Sequence, residues 1–528
     1  MEATKNPFEA TESKSARWRG INAFVTVGFA LALLAVLLLQ MFVVGIRFNV
    51  PGYDGSVYYG TSVLLLRGLI PYHSYVLLQP PGIAVLLTPF AALGRMTSTA
   101  TGFEAARIFV FLVSAVNILL LGFLLRWRST WSLCVAVALA CFWRDSLIAE
   151  SSVLLEPFLV LATLVAFVFV FRHEGFHKST ISWLGAGVAL GLGTSIKIWG
   201  VLVFVVLLVP AVHFGRRVAG YYLLGYAVSL SVVSLPFFLL APSQFIHEVV
   251  IDQAARSASG SIGVVARVAN LVDFSNFEGR HRTDPRFMVA AVVGITTFVV
   301  LLSILRRLAT PGNRGRLERA NITDLEVTSF VMVLILLAAF VSARQYYSHY
   351  GAFAVPFIAI LISSVTVRVL EVPSLRTIAG LFVIAFVLIL SVSVVRQVII
   401  GRQQPKVTDA LAKVIPANAC TLSWNPAPLV LSNRLSAGNP SCPVVLDIYG
   451  SEIYLTGGYG ESKVDAANSV VQHQLLSWMD HSRFVVFTSP VRSNPDLGST
   501  ARRYLSTHFV GLHRLDDLYI FRRVVPNP

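Results

Sequence analysis

Charge is scarce in this chain. Only 13% of its 528 residues are Asp, Glu, Lys or Arg, about half the share of an average soluble protein. Meanwhile 55% are hydrophobic and the mean hydropathy is +0.71. So little charge over so much apolar surface excludes an ordinary water-soluble globule and makes lipid the natural solvent. Acidic groups are scarcer still, 27 against 42 Lys and Arg, for a net charge of +15. In a soluble protein that excess would suggest nucleic acid. Here no basic stripe occurs outside the short loops between apolar runs, so it reads as cytoplasmic anchoring, with no nucleic-acid partner. Cysteine is also rare, at four. No Cys/His cluster has metal spacing. Cys134 and Cys141 lie in an apolar run and read as inert small hydrophobes. Cys420 and Cys442 lie in the polar tail, where an oxidising compartment would permit a disulfide, and spacing alone leaves that open. The chain lacks a P-loop pattern, so nothing calls for a nucleotide, and it lacks the internal repeat common in transporters.

Long apolar runs are what it has. Runs at 21–46, 106–126, 130–143, 152–172, 181–196, 199–214, 217–240, 287–306, 326–343, 350–368 and 375–399 predict about eleven spanning helices at about 20 residues per crossing. The first is too long for a signal-peptide core and lacks a clean cleavage site, so it is expected to stay. One more apolar stretch, Val76 to Leu93, opens on Gln79-Pro80-Pro81-Gly82, and tandem prolines break a helix. Charge decides that case. If 76–93 does not span, Lys14, Arg17 and Arg19, Arg126 and Arg128, Arg172 and Lys178, Arg216 and Arg217, and Arg306 to Arg319 all fall on the cytoplasmic side, as the positive-inside rule demands. The expected fold is therefore a polytopic α-helical membrane protein of the plasma membrane. Residues 1–20 are cytoplasmic, 21–400 form the transmembrane domain with an outer loop at 47–105, and 401–528 lie outside. The tail's β-like runs, Pro443 to Asp447 and Phe484 to Phe487, flank a helix-like stretch at about 464–480, which suggests a small extracytoplasmic α/β domain.

That sidedness gathers the chemically useful residues. Asp54 follows the first span among glycines and tyrosines, and Glu156 opens the fourth span before Pro157. Acidic groups at membrane depth are costly and often functional, although a carboxylate also suits a helix N-terminus. Arg144, Asp145 and Glu150 share a short outer loop and read as surface ion pairs. Lys197 stands between two apolar runs with no acidic neighbour in sequence, where it either snorkels or meets an anion such as phosphate. Arg344, Tyr346, Tyr347, His349 and Tyr350 crowd the outer turn after the ninth run. Carboxylates and cations on one outer face suit sugar transfer from a lipid-linked phosphate, with a carboxylate as general base and cations stabilising the leaving phosphate.

At these positions the chain resembles the GT-C superfamily of membrane glycosyltransferases, most closely the protein mannosyltransferase and lipid A aminoarabinose transferase group. The likeness rests on Asp54, Tyr58-Tyr59 and Gln79-Pro80-Pro81-Gly82 in that order, then Glu156-Pro157, Lys197 after a Gly-rich helix, and the Tyr-rich turn from Tyr346 to Pro356. It departs in two places: Gly55 follows Asp54 where the family often has Glu, and Gln79 precedes Pro-Pro where the family often has Lys. The resemblance implies a GT-C-like fold and an inverting transfer from a polyprenyl-phosphate sugar to a glycan, lipid or protein acceptor. It implies Asp54 as general base and Glu156 orienting donor or acceptor sugar. Lys197, Arg344, His349, Tyr347, Tyr59 and Gln79 would bind donor phosphate or substrate. A divalent metal is compatible with it, but nothing in the sequence asks for one. Two other readings remain: a transporter or flippase for a lipid-linked sugar, which would need charged or broken helices near the midplane, and a non-catalytic envelope-assembly protein working through its tail.

Overall fold

The computed structural model describes residues 7–43, 52–255, 264, 267, 323–370, 408–435, 441–457, 466–515 and 518–524. The expected spans at 287–306 and 375–399 lie outside these residues.

Apolar runs become helices, and polar residues at their ends cap them. Helix α1 covers Pro7–Val43, α2 Tyr53–Leu65, α3 Gly82–Leu86, α4 Thr88–Met96, α5 Thr99–Leu124 and α6 Thr130–Phe142. They are followed by α7 (Arg144–Glu150), α8 (Glu156–Val170), α9 (Thr180–Ile196), α10 (Gly200–His213) and α11 (Arg216–Leu240). The side chains of Ser98 and Ser129 accept the N–H groups of Thr101 and Ser132 at the starts of α5 and α6. The later helix Asp324–Ser342 opens with a reciprocal capping box between Thr323 and Glu326. Each such cap satisfies backbone donors that an apolar helix leaves open.

Among the described residues, Gly20–Leu39, Thr99–Leu124, Arg216–Leu240 and Asp324–Ser342 are long and apolar enough to cross a membrane. The α6–α7 pair adds a fifth if its 53° bend is counted within one span. Helices α8, α9 and α10 have 15, 17 and 14 residues; at about 1.5 Å per residue each falls short of a hydrocarbon core about 30 Å thick. Residues 76–93 form no continuous helix. Pro81 caps α3, and α4 starts two residues after α3 ends.

Helices α9 and α11 pack along a seam of small residues. A Cβ at Gly191 would lie 2.0 Å from Ser229 Oγ and 2.4 Å from the Tyr226 carbonyl, so only glycine permits that approach. At the end of α8 remote from Glu156, Arg128 is buried and donates to both carboxylate oxygens of Glu174 at 2.7 Å. It also reaches the Ile360 carbonyl at 2.9 Å and Ser364 Oγ at 2.6 Å, and Glu326 lies 3.5 Å away. This buried network ties α5, the turn after α8, and the helices Asp324–Ser342 and Val355–Leu370 together.

The tail carries a four-stranded sheet in the order β3-β4-β6-β5. Strand β3 (Thr421–Ser423) runs parallel to β4 (Phe484–Phe487), while β6 (Leu518–Arg523) is antiparallel to β4 and to β5 (Phe509–Leu515). A two-residue ribbon, β1 (Phe171–Arg172) antiparallel to β2 (Gly175–Phe176), follows α8. Helix Ser469–Asp480 packs beside the sheet. Residues 443–447, expected as a strand, do not pair into the sheet. Leu446 turns toward α2, Val445 packs on the tail's core, and Asp447 caps the helix Ile448–Leu455. Their apolar side chains serve two different cores, and this displaces the strand pairing. A second correction concerns residues 144–150. They form helix α7, in which Asp145 and Glu150 are buried.

Candidate active site

A cavity of about 500 Å³ opens where α2, the 76–79 segment, the 151–155 loop, the α9–α10 break, the 347–350 turn and the tail meet. Asp54 enters it from the first turn of α2, where a carboxylate favours the helix dipole. Gly55 leaves no room for a side chain. A Cβ there would lie 2.6 Å from Ser152 Oγ and 3.3 Å from the Val153 amide nitrogen, so any side chain would push α2 off the loop that leads to Glu156. Lys197 ends α9 in an extended conformation, and the break before α10 turns it into the cavity. His349 comes from the 3-10 turn Ser348–Phe353, stacked on Tyr347 and edge-on to Tyr350.

Lys197, Glu156, His349 and Asp54 form one chain of contacts. Lys197 Nζ donates to Glu156 Oε1 and lies 4.4 Å from the rings of both Trp199 and Tyr350. His349 Nε2 stands 3.9 Å from Glu156 Oε1 and 3.9 Å from Asp54 Oδ2. Burial divides the roles: the Glu156 side chain is 1% exposed and that of Asp54 39%. Glu156 does not line the cavity. It bonds Lys197 and lies 3.9 Å from His349, both of which line the cavity.

The remaining expected site residues divide. Tyr347 and Gln79 line the cavity. Tyr59 does not: it is fully buried beneath the site, edge-on to Phe103, and its neighbour Tyr58 takes the wall position. One residue along a helix turns a side chain by about 100°, and the Tyr-Tyr pair alone does not say which member faces in. Arg344 is exposed and outside the lining.

Other contributors were not apparent in the sequence. Tyr53 donates to Asp447 Oδ1 at 2.7 Å, and both line the cavity with Tyr449. Burial, and then the Asp447 carboxylate, push the Tyr53 phenol well above its ordinary range, so it stays a donor. Arg107 donates from Nε and Nη2 to the Ser151 carbonyl at 2.9 and 2.5 Å, which fixes the loop before Glu156. An arginine inside an apolar run was the available signal for it. Glu248 accepts the Leu77 N–H at 2.8 Å, and Gln253 donates to the Leu78 carbonyl, so the 247–253 segment grips the irregular segment that carries Gln79. Burial pushes the Glu248 carboxyl up to about 8. Cys420 and Cys442 are joined as a disulfide five residues before Asp447. Among the described residues, no three His, Cys, Asp or Glu side chains gather as a metal site.

The comparisons with known proteins agree with this architecture. A family model for dolichyl-phosphate-mannose-protein mannosyltransferase matches residues 89–251. Crystal structures of ArnT from Cupriavidus metallidurans, bound to undecaprenyl phosphate and apo, give TM-scores of 0.56 and 0.57 at 13% identity. They cover 94% of this chain and 98% and 97% of theirs. An oligosaccharyltransferase from Archaeoglobus fulgidus, in complex with Zn and sulfate, gives 0.54 at 13% identity, covering 92% of this chain and 71% of its own. No curated protein matches the chain by sequence. The resemblance to the GT-C superfamily read from the motifs thus extends to the fold.

Proposed function

We propose, from the GT-C-like fold as premise, that this protein is an inverting glycosyltransferase using a polyprenyl-phosphate sugar at the outer face of the plasma membrane, with its N-terminus cytoplasmic and its tail outside. The observation that carries the reading is the convergence of Asp54, His349 and Lys197, from three elements distant in sequence, on one cavity that also takes Gln79.

The acceptor hydroxyl oxygen attacks the anomeric carbon and forms the new glycosidic bond. The bond from that carbon to the phosphate oxygen breaks, and its electron pair leaves with the polyprenyl phosphate. Attack from the face opposite the leaving group inverts the centre. The hydroxyl proton passes to Asp54, the exposed carboxylate of the site. Lys197 has one N–H on Glu156, and its other N–H groups meet the phosphate charge as it develops. His349, equidistant from the two carboxylates, offers a proton path away from Asp54. The sugar and the linkage are not specified by these contacts.

The direct test is Asp54→Asn in full-length protein. Loss of general-base assistance reduces transfer by about 10²–10⁴-fold, while undecaprenyl phosphate binding survives because the charge on Lys197 is untouched. Transfer at the wild-type rate would remove Asp54 from the mechanism.

A further inference from the structure

The tail reaches into the cavity and is fastened to both halves of its chemistry. Tyr53, the residue before Asp54, donates to Asp447 Oδ1, and the Tyr449 N–H donates back to the Tyr53 oxygen at 3.2 Å. Gln345, four residues before His349, donates to the Tyr449 hydroxyl at 2.5 Å. Asp447 is itself held as a helix cap by the Gly450 N–H at 2.7 Å. Leu446 packs against Gly60 of α2, and the Cys420–Cys442 disulfide anchors the segment from behind.

The order of groups along the cavity gives this wall a role. Lys197 and Glu156 reach Asp54 through His349, whereas Asp447 and Tyr449 reach it through Tyr53, its chain neighbour, and Tyr449 also meets Gln345 of the His349 turn. A general base must stand at the acceptor hydroxyl, across the anomeric carbon from the leaving phosphate. With phosphate at Lys197, the acceptor falls on the tail side. Among the described lining residues Lys197 is the one Lys or Arg, so the tail side offers a carboxylate and phenols but no cation. A carboxylate accepts from vicinal hydroxyls and a phenol ring covers the C–H face of a pyranose or furanose, while an anionic acceptor would meet like charge at Asp447.

We propose that Asp447 and Tyr449 form an acceptor subsite, supplied by the tail, that takes an uncharged carbohydrate. This rests on the glycosyltransferase reading for the assignment of sides, and the test separates the two. Saturation-transfer NMR would measure binding of neutral mannose and arabinose oligosaccharides to the full-length protein in nanodiscs. Phosphorylated oligosaccharides and a Ser/Thr peptide serve as controls, and undecaprenyl phosphate binding is measured in parallel. Transfer from undecaprenyl-phosphate mannose and arabinose is then assayed with the same acceptors. Wild type should bind neutral oligosaccharide in preference to the controls. Tyr449→Ala and Asp447→Asn, which keeps a capping oxygen, should weaken that binding at least tenfold and raise the acceptor KM alike, with undecaprenyl phosphate binding within twofold of wild type. Equal oligosaccharide binding by variants and wild type, or preference for a control acceptor, would overturn the subsite. A tenfold loss of undecaprenyl phosphate binding in either variant would assign the wall to the donor instead and also overturn it. Tyr449-dependent oligosaccharide binding without sugar transfer from either donor, in a protein that also fails to bind undecaprenyl phosphate, would leave a carbohydrate site and refute the glycosyltransferase reading.

Discussion

Glu156→Gln tests the centre of the site most sharply, because Glu156 is buried and bonded to Lys197. The Lys197 and Glu156 side chains are 6% and 1% exposed. At a contact separation of about 3 Å and an effective dielectric of about 20, their attraction is about 5 kcal/mol. Removing one partner of a buried pair costs about 3–5 kcal/mol because the other charge stays behind. The Trp199 and Tyr350 rings, 4.4 Å from Nζ, remain to hold the ammonium, which places the loss near the lower end, about 3 kcal/mol. For a chain of this length that lowers the melting temperature in detergent by about 3 °C. Lys197→Met should destabilise similarly, and the apolar pair Lys197→Met/Glu156→Leu should recover most of the loss. Binding of undecaprenyl phosphate should separate the variants differently. Glu156→Gln keeps it within a few fold, whereas Lys197→Met and the double variant lose about 10–100-fold, the worth of a charge-assisted hydrogen bond. A double variant that binds undecaprenyl phosphate as wild type does would refute Lys197 as the phosphate contact. A Glu156→Gln protein as stable as wild type would refute the pair.

Three further outcomes follow from the packing. Gly55→Ala should cost about 1–3 kcal/mol by overpacking, and Ser152→Gly in the same chain should recover part of it, as read by thermal unfolding. Arg128→Met should cost about 3–5 kcal/mol by stranding Glu174 and Glu326, and Arg128→Lys should restore only part, since lysine cannot reproduce the two-pronged contact with Glu174. The raised Glu248 carboxyl binds a proton in the folded state between its ordinary pKa of about 4.3 and about 8. Its contribution is therefore fully present below that window, falls as pH rises through it, and is level above it. Glu248→Gln should flatten the fall in melting temperature between pH 5 and pH 8, and an unchanged pH profile would refute the assignment.

The sequence by itself determined the solvent and the kind of fold. Scarce charge over long apolar runs demands lipid, and Pro80-Pro81 breaks the one apolar stretch that charge bias would not let span. It also brought forward Asp54, Glu156, Lys197, Tyr347, His349 and Gln79, because polar groups at the ends of apolar runs are conspicuous. What it could not express was distance across the bundle. Lys197 has no acidic neighbour in sequence yet is bonded to Glu156, which is itself buried. Tyr59 rather than Tyr58 looked functional because a helix face is decided by what packs against it, here Phe103. Residues 144–150 looked like a polar loop because three charges lie within seven residues, but burial made them a helix. Residues 443–447 looked like a strand, since alternating apolar side chains do not reveal that they will be shared between α2 and the tail's own core. Only tertiary structure decided that Asp447 and Tyr449 meet Tyr53, close to four hundred residues away in the chain. Hydrogen bonds and packing act through space, and the periodicity that marks a membrane helix carries no record of which distant segment will close over its end.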